Sequence, residues 1–190
     1  MKLDNIPTII ISKYMKLLIA EDDEDIALIY KKGLDMKNYT VVIARNGEDC
    51  LKIYNEELHK IKFDNTKANQ LYNNSLANNP PFDIVILDYR IPKINGLEVA
   101  KEILSINPHQ RIIFASAYVK DTLEESIKCL SYVVELIQKP FSLKELVNTV
   151  EDNEIYQDLQ KLNVDIDLVK ALSPTHAQIT DLLERVRQQQ

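Results

Sequence analysis

Short runs of apolar residues alternate along the chain with segments in which apolar residues recur every three to four positions. Runs of about five apolar residues bounded by polar ones are typical of buried strands, and the longer spacing is typical of amphipathic helices. The pattern predicts five strands, at residues 16–20, 39–44, 82–87, 111–115 and 133–137.

A helix is predicted after each strand, and three of the helix starts carry specific signals. Asn46 is a suitable N-cap for the second helix, the third begins at about Gly96, and the sequence from Ser142 to Glu145 forms a capping box that opens a long fifth helix. The fourth helix is predicted near residues 121–130. Strands that alternate with helices in this way predict an α/β fold. We expect a doubly wound, flavodoxin-like parallel sheet of five strands in the order 2-1-3-4-5.

The alternating pattern covers only part of the 190 residues and divides the chain into segments. We expect a domain at residues 15–150, preceded by an extension at 1–14. Residues 62–81 contain six asparagines and end in two prolines, which favours a polar surface insertion within that domain. Residues 151–190 show helical spacing, with a second cap at Ser173-Pro174, and predict a helical C-terminal extension.

Composition excludes several classes of protein. A net charge of −6 and a pI near 5.2 argue against broad binding to nucleic acid or to an anionic membrane. Three glycines are too few and too far apart for a dinucleotide fingerprint or a phosphate loop, and two cysteines suit a reducing compartment. Since no apolar run approaches the roughly 20 residues that span a bilayer, we expect a soluble cytoplasmic protein with no membrane partner.

Polar residues lie just after four of the predicted strands. Glu21 and Asp22 follow the first, Asp88 the third, Ser116 the fourth and Lys139 the fifth. Because the carboxyl ends of parallel strands meet at one edge of the sheet, these side chains are expected to share a pocket. Carboxylates about 4 Å apart repel by about 1 kcal/mol even in water, and a cation with oxygen ligands, Mg²⁺ above all, relieves that repulsion. A carboxylate beside Mg²⁺, a lysine and a hydroxyl is suited to attack phosphorus, so we expect Asp88 to form an aspartyl phosphate.

Four separated segments resemble one known family. They read IAEDDED, FDIVILDYRIPKINGLEV, IIFASA and LIQKPFSLKEL, and in this order they resemble the CheY-like receiver domain of two-component response regulators. The chain is similar to a stand-alone receiver that carries a C-terminal helical extension. The resemblance implies a role for each matching position: metal-binding acids at Glu21 and Asp22, the phosphoacceptor at Asp88, a metal-binding backbone carbonyl at Arg90, phosphoryl contacts from Ser116 and Lys139, and a cis proline at Pro140.

The resemblance further implies that Asp88 receives a phosphoryl group from a sensor histidine kinase and loses it by self-catalysed hydrolysis. Such a chain acts by switching its contacts with a downstream protein and is not an effector enzyme.

One alternative is a transcriptional regulator whose tail binds DNA, although Arg185 and Arg187 are its only local support in a tail of net charge −4. Another is a degenerate receiver, because Leu136 occupies the position where the family has an aromatic switch residue. The tail is expected to pack on the domain, to dimerise or to bind a partner.

Overall fold

A computed structural model describes residues 14–68, 80–117, 134–171 and 176–188. Its five strands are all parallel and form a single sheet in the order β2-β1-β3-β4-β5, which confirms the predicted fold class and strand order. Each observed strand lies within two residues of its predicted bounds. The strands are β1 (Lys16–Ala20), β2 (Thr40–Ala44), β3 (Ile84–Leu87), β4 (Arg111–Ser116) and β5 (Val134–Gln138).

Six helices lie in the described part of the chain. They are α1 (Glu24–Asp35), α2 (Gly47–Ala68), α3 (Gly96–Ile106), α4 (Leu143–Lys161), α5 (Ile166–Ala171) and α6 (His176–Gln188). Two predicted caps are confirmed, because the side chain of Asn46 accepts the amide of Asp49 at 2.9 Å and that of Ser142 accepts the amide of Glu145 at 3.1 Å. The helix predicted at 121–130, the extension at 1–13 and the cap at Ser173-Pro174 lie outside the described residues.

Helix α2 continues into the segment that was predicted to be a surface insertion. Its last residue is Ala68, so the first seven residues of the predicted insertion, 62–68, are helical. Adding a residue to an existing helix forms one more hydrogen bond at little cost. Only one of the six asparagines, Asn65, falls within those seven residues, so little opposes this extension. The remaining thirteen residues of the predicted insertion are 69–81. Of these, residues 69–79 lie outside the described residues.

Apolar side chains cover the sheet on both faces. On one face, residues such as Leu18, Val85 and Phe114 pack with α2 and α3. On the other, residues such as Ile19 and Ile86 pack with α1 and α4. All four residues of β3 are buried, as expected for the central strand of a sheet that is covered on both sides. Burial on both faces leaves the carboxyl edge of the sheet as the place where polar side chains collect.

Arg111, at the start of β4, joins three elements at the opposite edge of the sheet. Its guanidinium donates to both carboxylate oxygens of Glu135 in β5, at 2.7 and 3.0 Å. It also donates to the carbonyl oxygens of Val150 and Thr149 in α4, at 2.8 and 2.6 Å. This residue therefore ties α4 to the two strands beneath it.

The C-terminal extension is helical, as predicted, and its last helix, α6, packs on the second half of α4. Leu159 of α4 is buried together with Ile179 and Leu183 of α6. Arg187 of α6 forms an ion pair with Asp158 of α4 at 2.8 Å. Because Asp158 and Leu159 themselves belong to residues 151–190, these contacts lie within the extension, and the three roles expected for the tail stay predictions. Among the described helices, none combines the length and the apolar character that crossing a bilayer requires.

Candidate functional site

The strand ends bring Glu21 and Asp88 side by side at the carboxyl edge of the sheet. The amide of Glu21 donates to the carbonyl oxygen of Ala44 at 3.1 Å, and the amide of Asp88 donates to that of Ala20 at 2.9 Å. The hydrogen-bond ladders thus continue one residue past each strand. This fixes the backbone of both acidic residues before their side chains make any contact.

Three carboxylates meet at this edge. Glu21, Asp22 and Asp88 each offer an oxygen, and these three oxygens all lie within 4.8 Å of one another. Glu21 is buried, Asp88 is half-buried and Asp22 is exposed, so the group opens to solvent on the side of Asp22. Carboxylate oxygens in a compact set with access to water are what Mg²⁺ requires, since it keeps several of its waters. The residues present therefore fit the cation that the sequence predicts.

Lys139 bridges two of these carboxylates from the end of β5. Its Nζ donates to Oδ2 of Asp88 at 2.6 Å and to Oε2 of Glu21 at 2.7 Å. Its amide donates to the carbonyl oxygen of Ser116 at 2.7 Å, and the peptide bond from Lys139 to Pro140 is cis, as the resemblance implies. One ammonium opposite three carboxylates still leaves a formal excess of negative charge, which favours a divalent cation at the same place.

Burial and charge shift the pKa of two of these groups. Burial raises the pKa of Glu21, the hydrogen bond and charge of Lys139 oppose that rise, and the nearby charges of Asp88 and Asp22 add to it. For Lys139, burial alone would lower the pKa, but the hydrogen bonds to Asp88 and Glu21 outweigh it, and the pKa lies above its ordinary value. Lys139 is therefore a permanent cation at neutral pH.

The amide of Arg90 orients the carboxylate of Asp88. It donates to Oδ1 of Asp88 at 2.9 Å, which leaves Oδ2 directed at Lys139. The sequence predicted a role for the Arg90 carbonyl but not for this amide. The signal that could have found it is the spacing, because aspartate side chains commonly accept the amide two residues further on.

Two glycines let the loop after β3 lie close to the neighbouring helices. A Cβ atom on Gly96 would lie 2.2 Å from the carbonyl oxygen of Asp88, and one on Gly47 would lie 2.0 Å from that of Ile94. The amide of Gly96 donates to the carbonyl oxygen of Tyr89 at 3.0 Å, and that of Gly47 donates to Pro92 at 3.1 Å. The sequence placed both glycines at helix starts, whereas the structure adds that they hold the loop that carries Asp88.

Ser116 and Leu136 occupy neighbouring strands near the site. Ser116 is the last residue of β4, is only 1% exposed and pairs in register with Gln138. Leu136 pairs with Phe114 and packs, half-buried, against the cluster on the α2 and α3 side of the sheet. Leu136 therefore contributes to packing between the sheet and its helices.

The sequence model of the family described as the response regulator receiver domain matches residues 17–151. The chain belongs to this family. The nisin biosynthesis regulatory protein NisR of Lactococcus lactis is 34% identical to the receiver over 139 residues, which cover 73% of this chain and 49% of NisR. The response regulator receiver protein CpdR of Brucella abortus is 25% identical over 136 residues, covering 72% of this chain and 93% of CpdR.

A solved structure gives the same picture for the fold. The response regulator protein TrrA of Thermotoga maritima, solved in complex with Mg²⁺ and BeF, shares 28% identity with a TM-score of 0.52, and the match covers 73% of this chain and 97% of TrrA. The receiver therefore accounts for about three quarters of the chain. The matched segment corresponds to about half the length of NisR, whereas it corresponds to nearly the whole of CpdR. The receiver domain is a signalling module of two-component systems rather than a classical enzyme.

Proposed function

We propose that this receiver takes a phosphoryl group on Asp88 from the phosphohistidine of a sensor histidine kinase and then changes its contacts with a downstream protein. The observation that carries the proposal is the pair of bonds from Lys139 Nζ to Asp88 and Glu21, which sets a fixed cation beside an oriented carboxylate. An acidic cluster alone is a common surface feature. An acidic cluster with a half-buried lysine and an oriented aspartate is suited to phosphoryl transfer.

In the transfer step, a carboxylate oxygen of Asp88 forms a bond to phosphorus while the bond from phosphorus to the donor imidazole nitrogen breaks. The imidazole keeps the electron pair and takes up a proton. Lys139 and the Ser116 hydroxyl would hold the phosphoryl oxygens, and Glu21, Asp22, Asp88 and the Arg90 carbonyl would hold Mg²⁺. When bound, Mg²⁺ neutralises the charge that develops on the transferred group.

Loss of the phosphoryl group follows by attack of water on phosphorus, which breaks the bond to Asp88, returns the carboxylate and releases inorganic phosphate. The same residues serve this step, so the receiver itself sets the lifetime of its phosphorylated state and acts on no other substrate. We place the exchange in the cytoplasm, and the free buried thiol of Cys50 supports this location.

A protein, rather than DNA, is the proposed target of the tail. Arg185 and Arg187, the residues that favoured DNA, bind carboxylates of their own chain, Asp181 and Asp158, each at 2.8 Å. Their charge is already balanced locally, and the tail as a whole is acidic.

The test is phosphorylation by acetyl phosphate with Mg²⁺, followed by intact mass. The wild-type chain is expected to gain one phosphoryl group, and Asp88→Asn is expected to gain none. Asp83→Asn is the matched control, because Asp83 precedes β3 at its other end and accepts the amide of Lys16 at 2.8 Å. Omitting Mg²⁺ and adding a chelator should suppress the gain. The proposal would be contradicted if Asp88→Asn still gained the mass of a phosphoryl group, or if the folded wild-type chain did not gain it.

A further inference from the structure

Two aromatic rings stack next to the site without belonging to it. Tyr30 of α1 and Phe141 have ring centroids 5.4 Å apart and planes inclined by 19°. Tyr30 is buried, and Phe141 packs against the same cluster on the α1 and α4 side of the sheet. Offset stacking of this kind is favourable beyond the area that the rings bury.

Phe141 lies in the short segment that joins Lys139 to α4. The amide of Lys139 is held by Ser116 at one end of this segment, and Ser142 caps α4 at the other. The stack on Tyr30 therefore holds the middle of a segment whose ends are already fixed.

The contact of α1 with this segment continues to Leu143, the first residue of α4. A Cβ atom on Gly33, one turn after Tyr30, would lie 2.3 Å from Cδ2 of Leu143, two residues after Phe141. Only a glycine allows this approach without displacing Leu143. The ring stack and the glycine contact thus form one continuous seam between the two elements.

Helix α1 begins directly after the acidic residues of the site. Asp23 caps it, accepting the amides of Asp25 and Ile26 at 2.9 and 3.0 Å. The seam therefore connects the segment that carries Glu21 to the segment that carries Lys139. The pKa of Tyr30, which burial raises to about 12, also responds to the charges of Lys139, Glu21 and Asp88.

We propose that Tyr30 is a positioning residue for Lys139: by stacking on Phe141 it holds the segment 139–141 where Nζ reaches both Asp88 and Glu21. This inference rests on the proposed function for its importance to phosphoryl transfer, whereas the contact itself is testable without phosphorylation. Tyr30→Leu removes the stack but keeps an apolar side chain, and Tyr30→Phe keeps the stack.

The first readout is acetylation of Lys139 by an amine-reactive ester, measured by peptide mass spectrometry in the full chain under native conditions. Lys93, on the loop after β3, serves as the internal reference. Because an aromatic pair changes an equilibrium constant by about 2- to 12-fold, Tyr30→Leu should raise the relative labelling of Lys139 by about that factor. Tyr30→Phe should label like the wild-type chain.

The matched control is Tyr54→Leu. Tyr54 is fully buried and faces Phe82 at a centroid distance of 6.1 Å, on the sheet face away from Tyr30. Its replacement is a similar loss of a buried ring, so it separates positioning from general loosening. Tyr54→Leu is expected to leave the relative labelling of Lys139 unchanged at an equal folded fraction.

The second readout is the rate of phosphorylation by acetyl phosphate per folded molecule. Tyr30→Leu should be phosphorylated more slowly than wild type, by a factor no larger than the rise in labelling, and Tyr30→Phe should restore the rate.

Three labelling results would overturn the inference: wild-type labelling of Lys139 in Tyr30→Leu, equal effects in the Leu and Phe variants, or an equal effect in Tyr54→Leu. A phosphorylation rate that falls by a larger factor than the labelling of Lys139 rises would also overturn it. A wild-type chain that is never phosphorylated would refute the proposed function and leave the labelling result as the separate test of the contact.

Discussion

Replacing Arg111 should show how strongly the extended helix α4 is tied to the sheet. Its side chain is only 11% exposed and makes four hydrogen bonds, two to Glu135 and two to carbonyl oxygens of α4. Arg111→Met keeps most of the apolar stem and removes the charged group. The substitution leaves the Glu135 carboxylate, itself 27% exposed, without its cation.

The expected loss follows from the burial of the pair. Hydrogen bonds to charged groups contribute about 1.5–3 kcal/mol each, but four bonds from one guanidinium are not additive. Removing one partner of a buried pair costs about 3–5 kcal/mol, and because water reaches Glu135 in part, we expect about 3 kcal/mol for Arg111→Met. Arg111→Lys keeps the charge but cannot form the planar fork, so we expect a loss of about 1–2 kcal/mol.

The assay is urea denaturation of the full chain, followed by circular dichroism. Arg185→Met is the matched control, because the pair of Arg185 with Asp181 is formed at the same kind of distance, 2.8 Å, but on the exposed surface of α6. Exposed pairs contribute at most about 1 kcal/mol and are screened by salt. Raising the salt concentration should therefore reduce the effect of Arg185→Met and leave that of Arg111→Met nearly unchanged.

Two results would refute this reasoning. One is an Arg111→Met variant whose free energy of unfolding lies within about 0.5 kcal/mol of wild type, which is the range for surface substitutions. The other is an Arg111→Lys variant as stable as wild type, since that would mean that charge alone, without the fork and its contacts to α4, accounts for the stabilisation.

Three further predictions concern other parts of the receiver. Gly96→Ala should slow phosphorylation of Asp88 by about 10-fold or more with the fold retained by circular dichroism, because the added methyl group would displace the Asp88 backbone; an unchanged rate would contradict this. Tyr54→Phe removes the hydroxyl that donates to the buried Oε1 of Gln110 at 2.9 Å, and should lower the free energy of unfolding by about 1–3 kcal/mol in urea denaturation. Burial raises the pKa of the Cys50 thiol to about 12, so the folded chain presents almost no reactive thiolate at pH 8. In a Cys129→Ser chain, where Cys50 is the remaining cysteine, a disulfide reagent at pH 8 should therefore react with Cys50 only as fast as the chain unfolds.

The sequence predicted the features that depend on local order along the chain. Alternating strands and helices imply a parallel sheet, and the expected order 2-1-3-4-5 sets the first and third strands side by side, so the proximity of Glu21 and Asp88 followed from their positions after those strands. The capping residues Asn46 and Ser142 were also visible, because a cap and the amide it binds lie within four residues of each other.

The features that the sequence did not predict depend on contacts between distant segments. Arg111 reads as an ordinary residue at the start of a strand, and only packing brings it to Glu135 and to α4. Likewise, nothing near Gly96 in the sequence indicates that the Asp88 carbonyl lies against it. The length of α2 was underestimated because the composition of residues 62–81 was averaged over a segment whose first seven residues are helical and contain only one asparagine.

The continuity of α4 makes it a lever between the lysine and the tail. The helix has 19 residues, begins after the Ser142 cap three positions beyond Lys139, and carries α6 on its far half. Such a helix is about 28 Å long, so a tilt of about 5° at its first turn displaces its far end by about 2.5 Å. A small tilt of the first turn of α4, next to Lys139, therefore moves the far end of the helix further than it moves the site. Helix α6 packs on that far end, so the tilt also changes the orientation of the exposed surface of α6.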